Sequence, residues 1–281
     1  MIPFILACLL LLSPESKAEL KVHHHKAYVY FGKGSCEEEP QPDGTIRNEQ
    51  CSTMGMEMAK KAGLIPVAIH PQDLNEKSTP EEIADFFKDV GVWIQPGGNS
   101  VAYEVMNPVL IHELKRFVQS GGGYVGWCAG AFMAGLGMDN QNSLRIFPAA
   151  AIPFSPVEKN EKFALIKKNE KNEEYSALSL ESVTWNKKPR RIYFEGGAFL
   201  EVTEDSIAEV KKDKNFGKMK IIARYSDDKI AAARATYGKG RVFITGLHPE
   251  APLWWSEEDH LVDTDGVDHE LAVEMIRWVA K

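Results

Sequence analysis

Gly121-Gly122-Gly123-Tyr124-Val125-Gly126-Trp127-Cys128-Ala129-Gly130-Ala131 is the stretch whose reading decides the fold. The glycine triplet terminates whatever precedes it. Residues 124–127 are apolar and β-prone and read as a buried strand. That strand exits at a cysteine with glycines two residues away on either side. A strand, a tight turn carrying a nucleophilic residue and then a helix make a nucleophile elbow. The flanking glycines remove side chains that would clash in so sharp a turn. A cysteine there stands at a helix N-terminus, where the dipole favours a thiolate. The backbone N–H of Ala129 then faces the place where an oxyanion would develop. Gly-x-Cys-x-Gly alone is also compatible with a buried cysteine at a crowded strand–helix junction.

Upstream of this stretch, strands and helices alternate. Residues 108–119 carry Leu110, Leu114 and Phe117 on one helical face. Val92-Trp93-Ile94-Gln95 is a strand ending at Pro96-Gly97-Gly98-Asn99. Thr79-Pro80-Glu81-Glu82 opens a helix, with a capping hydroxyl, a proline suited to the first turn and acids suited to the helix dipole. Residues 64–69 form a strand. Residues 50–62 form a helix with Met54, Met58 and Ala62 at helical spacing, closed by Gly63. Residues 27–31 form the first strand, ended by Gly32-Lys33-Gly34-Ser35. This order predicts an α/β fold, a mostly parallel sheet with helices on both faces. In such sheets, sites form at the carboxyl ends of strands. Cys128 and both glycine-rich exits fall there.

Downstream the texture changes. Residues 144–235 hold short β-prone runs, such as 182–185 and 191–194, with poor helical periodicity. They predict a β-rich insertion or extension of the sheet. The charged stretch 159–174 predicts an exposed loop or hairpin. Residues 230–236 and 241–245 flank Tyr237-Gly238-Lys239-Gly240, a hairpin signal. The second of these runs exits into Gly246-Leu247-His248-Pro249-Glu250, and a last helix covers 268–280.

His248 and Glu250 supply what a cysteine nucleophile needs, a base and a group to orient it. They lie two residues apart, so in an extended segment their side chains share one side. His70, His112, His260 and His269 have no acid so placed. Gly97 and Gly98 offer backbone donors for the other half of an oxyanion hole. Trp127, Asn99 and Glu195 are candidate pocket residues, and Trp254 and Trp255 could line a groove, although large aromatics more often fill core.

The chain has 281 residues, a net charge of −7 and 44% hydrophobic residues. No basic stripe with interleaved aromatics appears, which argues against a nucleic-acid partner. The cluster Lys187, Lys188, Arg190, Arg191 is short and reads as a solvated turn. Residues 1–12 are continuously apolar but too few for a membrane span. With Ser16-Lys17-Ala18 after them they predict a signal peptide, residues 1–18, and an exported protein, periplasmic or secreted. Residues 19–281 are then one domain with no stable membrane span. In an oxidising compartment Cys36 and Cys51 can pair across a short loop, leaving Cys128 as the odd thiol. The alternative is three free thiols. His23-His24-His25 reads as a solvated run, since nothing nearby completes a ligand set. No metal or organic cofactor is expected.

Together, Gly-Trp-Cys-Ala-Gly-Ala, Pro-Gly-Gly and Gly-Leu-His-Pro-Glu resemble the class I glutamine amidotransferase-like superfamily. Four segments narrow that resemblance to the N-terminal domain of biotin–protein ligases and its stand-alone relatives. They are Tyr-Val-Tyr-Phe-Gly-Lys-Gly-Ser at 28–35, Ile-Gln-Pro-Gly-Gly-Asn at 94–99, the glycine-rich stretch at 121–131, and Ile-Tyr-Phe-Glu-Gly-Gly-Ala-Phe at 192–199. The resemblance implies a flavodoxin-like sheet and a Cys-His-Glu triad on Cys128, His248 and Glu250, with Gly97, Gly98 and Ala129 near the oxyanion. Residues 1–281 include no ligase or synthetase segment, so biotin transfer and ammonia delivery are not part of what the resemblance leads one to expect of them. The expectation is a cysteine-dependent hydrolase of a small-molecule or peptide substrate at a C–N amide bond. Two alternatives stand beside it. One is a non-catalytic small-molecule or peptide binding module on the same fold. The other is a redox or stress protein resembling the DJ-1 relatives, with an acid from Glu37, Glu38 or Glu39 beside the cysteine.

Overall fold

A computed structural model describes residues 25–32, 34–35, 51–98, 106–137 and 143–280. The expected signal peptide, Cys36, the acids at 37–39 and Asn99 lie outside the described residues. Among the described residues no helix is long and apolar enough to cross a membrane.

The centre is a parallel sheet built in the expected way. Strands β1 (Lys26–Tyr30), β2 (Ile65–Ile69), β3 (Val90–Gln95), β4 (Gly123–Trp127) and β12 (Gly240–Thr245) lie in the order β2-β1-β3-β4-β12. All four pairings among them are parallel. This is the flavodoxin-like order, with the last strand of the chain standing where the fifth would. Side chains alternate between the two faces, as the period of two demands. Val92, Ile94, Val125, Trp127 and Phe243 face one cluster, with α1 (Cys51–Lys61) and α7 (His269–Val279) packed over them. Trp93, Tyr124, Val242 and Ile244 face the other, covered by α3 (Pro108–Ser120) and α4 (Ala129–Ala134). Both faces are apolar because both are covered.

Local signals fix the ends of these elements. Thr79 caps α2 (Pro80–Phe86): its hydroxyl accepts from Glu82 N–H, and Glu82 accepts from Thr79 N–H at 2.7 Å, a capping box. Asn107 caps α3 by accepting from Leu110 N–H at 3.0 Å.

The β-rich part continues the same sheet. Strand β12 pairs antiparallel with β11 (Ile230–Tyr237), the predicted hairpin, and β11 with β10 (Lys220–Tyr225). Next comes β7 (Glu174–Trp185), a 12-residue strand that pairs with β10, β6 (Ala164–Lys168) and β8 (Lys188–Glu195). Strands β5 (Ala150–Pro153) and β9 (Ala198–Glu201) pair with each other, and β9 also meets β11, so the sheet curls into a half-barrel. The charged stretch at 159–174 contains β6 and the turn into β7, a hairpin as expected.

One element departs from the expectation. The region described as poor in helical periodicity contains α5 (Glu204–Lys212). Its sole buried residue is Ser206, so it has no apolar stripe to read. Its signals are electrostatic and local: Thr203 caps it, Glu204 and Asp205 fill the first turn, and Lys211 and Lys212 the last. A further short helix, α6 (Leu253–Glu258), follows the exit of β12.

Candidate functional site

Because β3, β4 and β12 are parallel, their carboxyl ends lie along one edge. Gln95 pairs in register with Gly126, and Thr245 with Trp127. Cys128 follows Trp127 directly, Gly97 stands two residues after Gln95, and His248 three after Thr245. The topology alone therefore brings three distant segments together.

Cys128 turns out of β4 with φ 47° and ψ −106°, a left-handed conformation that non-glycine residues rarely adopt. Such a residue carries roughly 1–3 kcal/mol of strain and persists only where its surroundings hold it. They do so tightly. Cys128 N–H donates to Thr245 carbonyl at 2.9 Å, and Cys128 carbonyl accepts from Ala131 N–H at 3.0 Å. A Cβ on Gly126 would stand 2.4 Å from the Gly130 carbonyl oxygen, and one on Gly130 2.3 Å from that of Gln95. Backbone meets backbone on both sides of the cysteine, so neither glycine has room for a side chain. Buried Tyr124 completes the frame by donating its hydroxyl to Gly130 carbonyl at 2.9 Å.

The Cys128 thiol is hydrogen-bonded to the His248 imidazole and donates to the Glu195 carbonyl at 3.3 Å. His248 Nδ1 lies 2.9 Å from Glu250 Oε1. Cys128, His248 and Glu250 are all buried, at 3%, 4% and 0% exposure. Burial alone would lower the His248 pKa. The charges of Cys128 and Glu250 and their hydrogen bonds to the ring outweigh it, and His248 is held well above the ordinary histidine range.

Two aromatic residues fix the imidazole further. The Tyr193 carbonyl accepts from the His248 backbone N–H at 2.9 Å, and the Tyr193 ring meets the imidazole edge-on at 6.0 Å. Its hydroxyl donates to Asp259 Oδ2 at 2.8 Å. Trp255 packs on the other contact, with centroids 5.6 Å apart. Neither contact was legible in the sequence, which placed Tyr193 in a strand and Trp255 near the site without relating either to His248.

Of the sequence-predicted residues, Cys128, His248 and Glu250 meet directly. Gly97 lies against the imidazole: a Cβ there would stand 2.3 Å from His248 Cε1. Gly98 has φ 144° and packs on the loop after β1, where a Cβ would stand 1.8 Å from Gly34 carbonyl oxygen. Ala129 is the first residue of α4 and is buried. Glu195 contributes its carbonyl to the thiol, while its side chain is exposed. Trp127 is a correction. It was expected to line a pocket, but it is fully buried in the core beneath α1, near Gly55, because it is on the α1 face of β4. Trp254 is half-buried beside Trp255. Cys51 is disulfide-bonded and Cys128 is free. Cys36, the partner expected for Cys51, lies outside the described residues.

Comparison with known proteins bears on the family and the fold. Over 206 residues the chain is 25% identical to the biotin–protein ligase of Schizosaccharomyces pombe, an alignment covering 67% of this chain and 29% of that protein. The chain thus spans less than a third of the curated relative it matches. Among solved structures, PurLQS from Thermotoga maritima is similar in fold. It aligns at a TM-score of 0.51 and 14% identity, covering 92% of this chain and 100% of that one. Residues 87–275 match the family described as biotin-protein ligase, N terminal. That match takes in β3, Cys128, His248 and Glu250, and the glutamine amidotransferase-like superfamily is compatible with it. Matching more than half of its length, the chain belongs to the biotin–protein ligase N-terminal family.

Proposed function

We propose that this domain is a cysteine-dependent hydrolase of a C–N amide bond of the glutamine, γ-glutamyl or peptide type. One observation carries the reading. Cys128 is held at a strained elbow and hydrogen-bonded to an imidazole that Glu250 in turn orients at 2.9 Å. In the first half-reaction the Cys128 thiolate attacks the carbonyl carbon. Charge develops on the carbonyl oxygen beside Gly97 and Ala129, whose backbone N–H groups are its proposed donors. The His248 imidazolium gives its proton to the leaving amine as the C–N bond breaks, which leaves a thioester. In the second half-reaction neutral His248 takes a proton from water. The resulting hydroxide attacks the thioester, and the acid and thiolate are released. Glu250 keeps the imidazole in one orientation.

The test is turnover of a panel of glutamine amides, γ-glutamyl anilides and short peptides by the full chain. The expected result is release of amine with at least one of them. Cys128→Ala should lower that rate by about 10⁴-fold or more while leaving the fold intact. A Cys128→Ala variant of undiminished activity would sink the proposal.

The family match favours a second reading, a binding domain for biotin or for a protein that receives it. Capture of biotin or a biotin-acceptor domain that is equally strong in Cys128→Ala would favour this reading over the first. The export proposal is supported by the apolar residues 1–12 and by the disulfide at Cys51, since disulfides persist in oxidising compartments.

A further inference from the structure

Beside His248 and Glu250 lies a cysteine that the proposed reaction does not use. Cys51 opens α1 and is disulfide-bonded. Its Sγ, a ring nitrogen of His248 and a carboxylate oxygen of Glu250 all lie within 4.8 Å of one another, and all three residues are buried. Glu250 Oε1 bonds His248 Nδ1, while Glu250 Oε2 is buried with no hydrogen-bond partner among the described residues. A buried carboxylate oxygen left without a donor is costly, which points to a partner that arrives in another state. Gly97 lies against the same group: a Cβ there would stand 2.3 Å from His248 Cε1, 3.1 Å from His248 Nδ1 and 3.3 Å from Cys51 Sγ, so no side chain fits beside these atoms.

We propose that reduction of the Cys51 disulfide creates a site for a zinc-like divalent cation, held by Cys51 Sγ, a His248 ring nitrogen and a Glu250 carboxylate oxygen. The ligand set suits this class of ion. Thiolate, imidazole and carboxylate are the three donor types that zinc takes, and three protein ligands leave a fourth position for water. Charge also balances. A dication with one thiolate and one carboxylate is neutral, the least costly state for a buried site.

The steps balance as well. A two-electron reductant of the phosphine or dithiol class cleaves the disulfide to two thiols and is itself oxidised. On binding the cation, the Cys51 thiol loses its proton to solvent, and so does any imidazolium. Affinity therefore rises with pH. While the disulfide is intact its sulfur carries no thiolate charge, and the site is closed to metal. Metal binding stands independently of the hydrolase reading. Only its consequence, loss of His248 as a base and hence of turnover, rests on that reading.

The experiment uses the full chain, reduced with a phosphine that is then removed, and titrated anaerobically with Co²⁺ before competition by Zn²⁺. One equivalent of Co²⁺ should give a thiolate-to-cobalt charge-transfer band that Zn²⁺ abolishes. The unreduced protein should give none. Cys128→Ala should keep the band, and Cys51→Ser should lose it. A band of equal strength without reduction would overturn the proposal. So would one that survives in Cys51→Ser but vanishes in Cys128→Ala, which would assign the thiolate to Cys128. Should Cys51→Ser fail to fold, peptide mapping of the reduced wild-type chain decides instead. Stoichiometric Zn²⁺ should shield Cys51 from iodoacetamide until a chelator removes it. Equal labelling with and without Zn²⁺ rules the site out.

Discussion

Replacing Gly97 by alanine is expected to lower both amide turnover and Cys128 alkylation by about 100-fold while costing the fold only roughly 1–3 kcal/mol. The argument is steric. The new methyl would stand 2.3 Å from His248 Cε1, closer than real carbon contacts come. The imidazole cannot simply retreat. Tyr193 and Trp255 meet it edge-on at 6.0 and 5.6 Å, and Glu250 holds Nδ1. Any rotation that relieves the clash weakens the bond to Cys128 or the bond to Glu250. A shift of about 1 Å in a proton-transferring group is enough for a loss of this size. The measurement is the alkylation rate set beside the melting temperature. A variant that melts several degrees lower yet reacts like wild type would mean that His248 need not stand where this geometry holds it.

Glu250→Gln has the second large effect, and its sign depends on pH. The side chain keeps its shape but loses its charge, so the His248 pKa falls from its raised position. A histidine whose folded pKa is raised contributes stability that is fully present below its unfolded value, about 6.5. That contribution is lost as pH rises through the folded value. The gap in melting temperature between wild type and Glu250→Gln should therefore be widest near pH 6 and shrink steadily into the alkaline range. Turnover should fall by roughly 10²-fold or more at neutral pH, because the ring loses the negative charge that orients it and holds its proton. A gap that is constant with pH would mean that Glu250 contributes packing alone.

The centre of the fold was legible because each strand carried its own boundary signals. The run at 124–127 stops at Cys128, that at 92–95 stops at Pro96-Gly97-Gly98, and Thr79 with Glu82 announces a helix. The pairing of Cys128 with His248 was legible for a topological reason. Both follow strands, and parallel strands put all their exits on one edge. What was not legible depends on the third dimension. The α5 helix buries only Ser206, so it has no periodic apolar face. Trp127 adjoins the cysteine in sequence, yet strand alternation turns it into the core beneath α1. The curl of the extension arises where β9 pairs with both β5 and β11, and nothing local in its four residues encodes two partners. Cys51 was read as a disulfide half. Its place against His248 and Glu250 appears only once α1 docks beside the exit of β3.

The central claim is that Cys128 and His248 form an activated pair. The most direct measurement is the pH dependence of Cys128 alkylation by iodoacetamide in the full chain and in His248→Ala. The account predicts rapid alkylation at neutral pH, falling by about tenfold or more in His248→Ala and recovering only at alkaline pH. Profiles that superimpose, with both chains unreactive until alkaline pH, would contradict it and leave Cys128 a buried thiol at a crowded strand–helix junction.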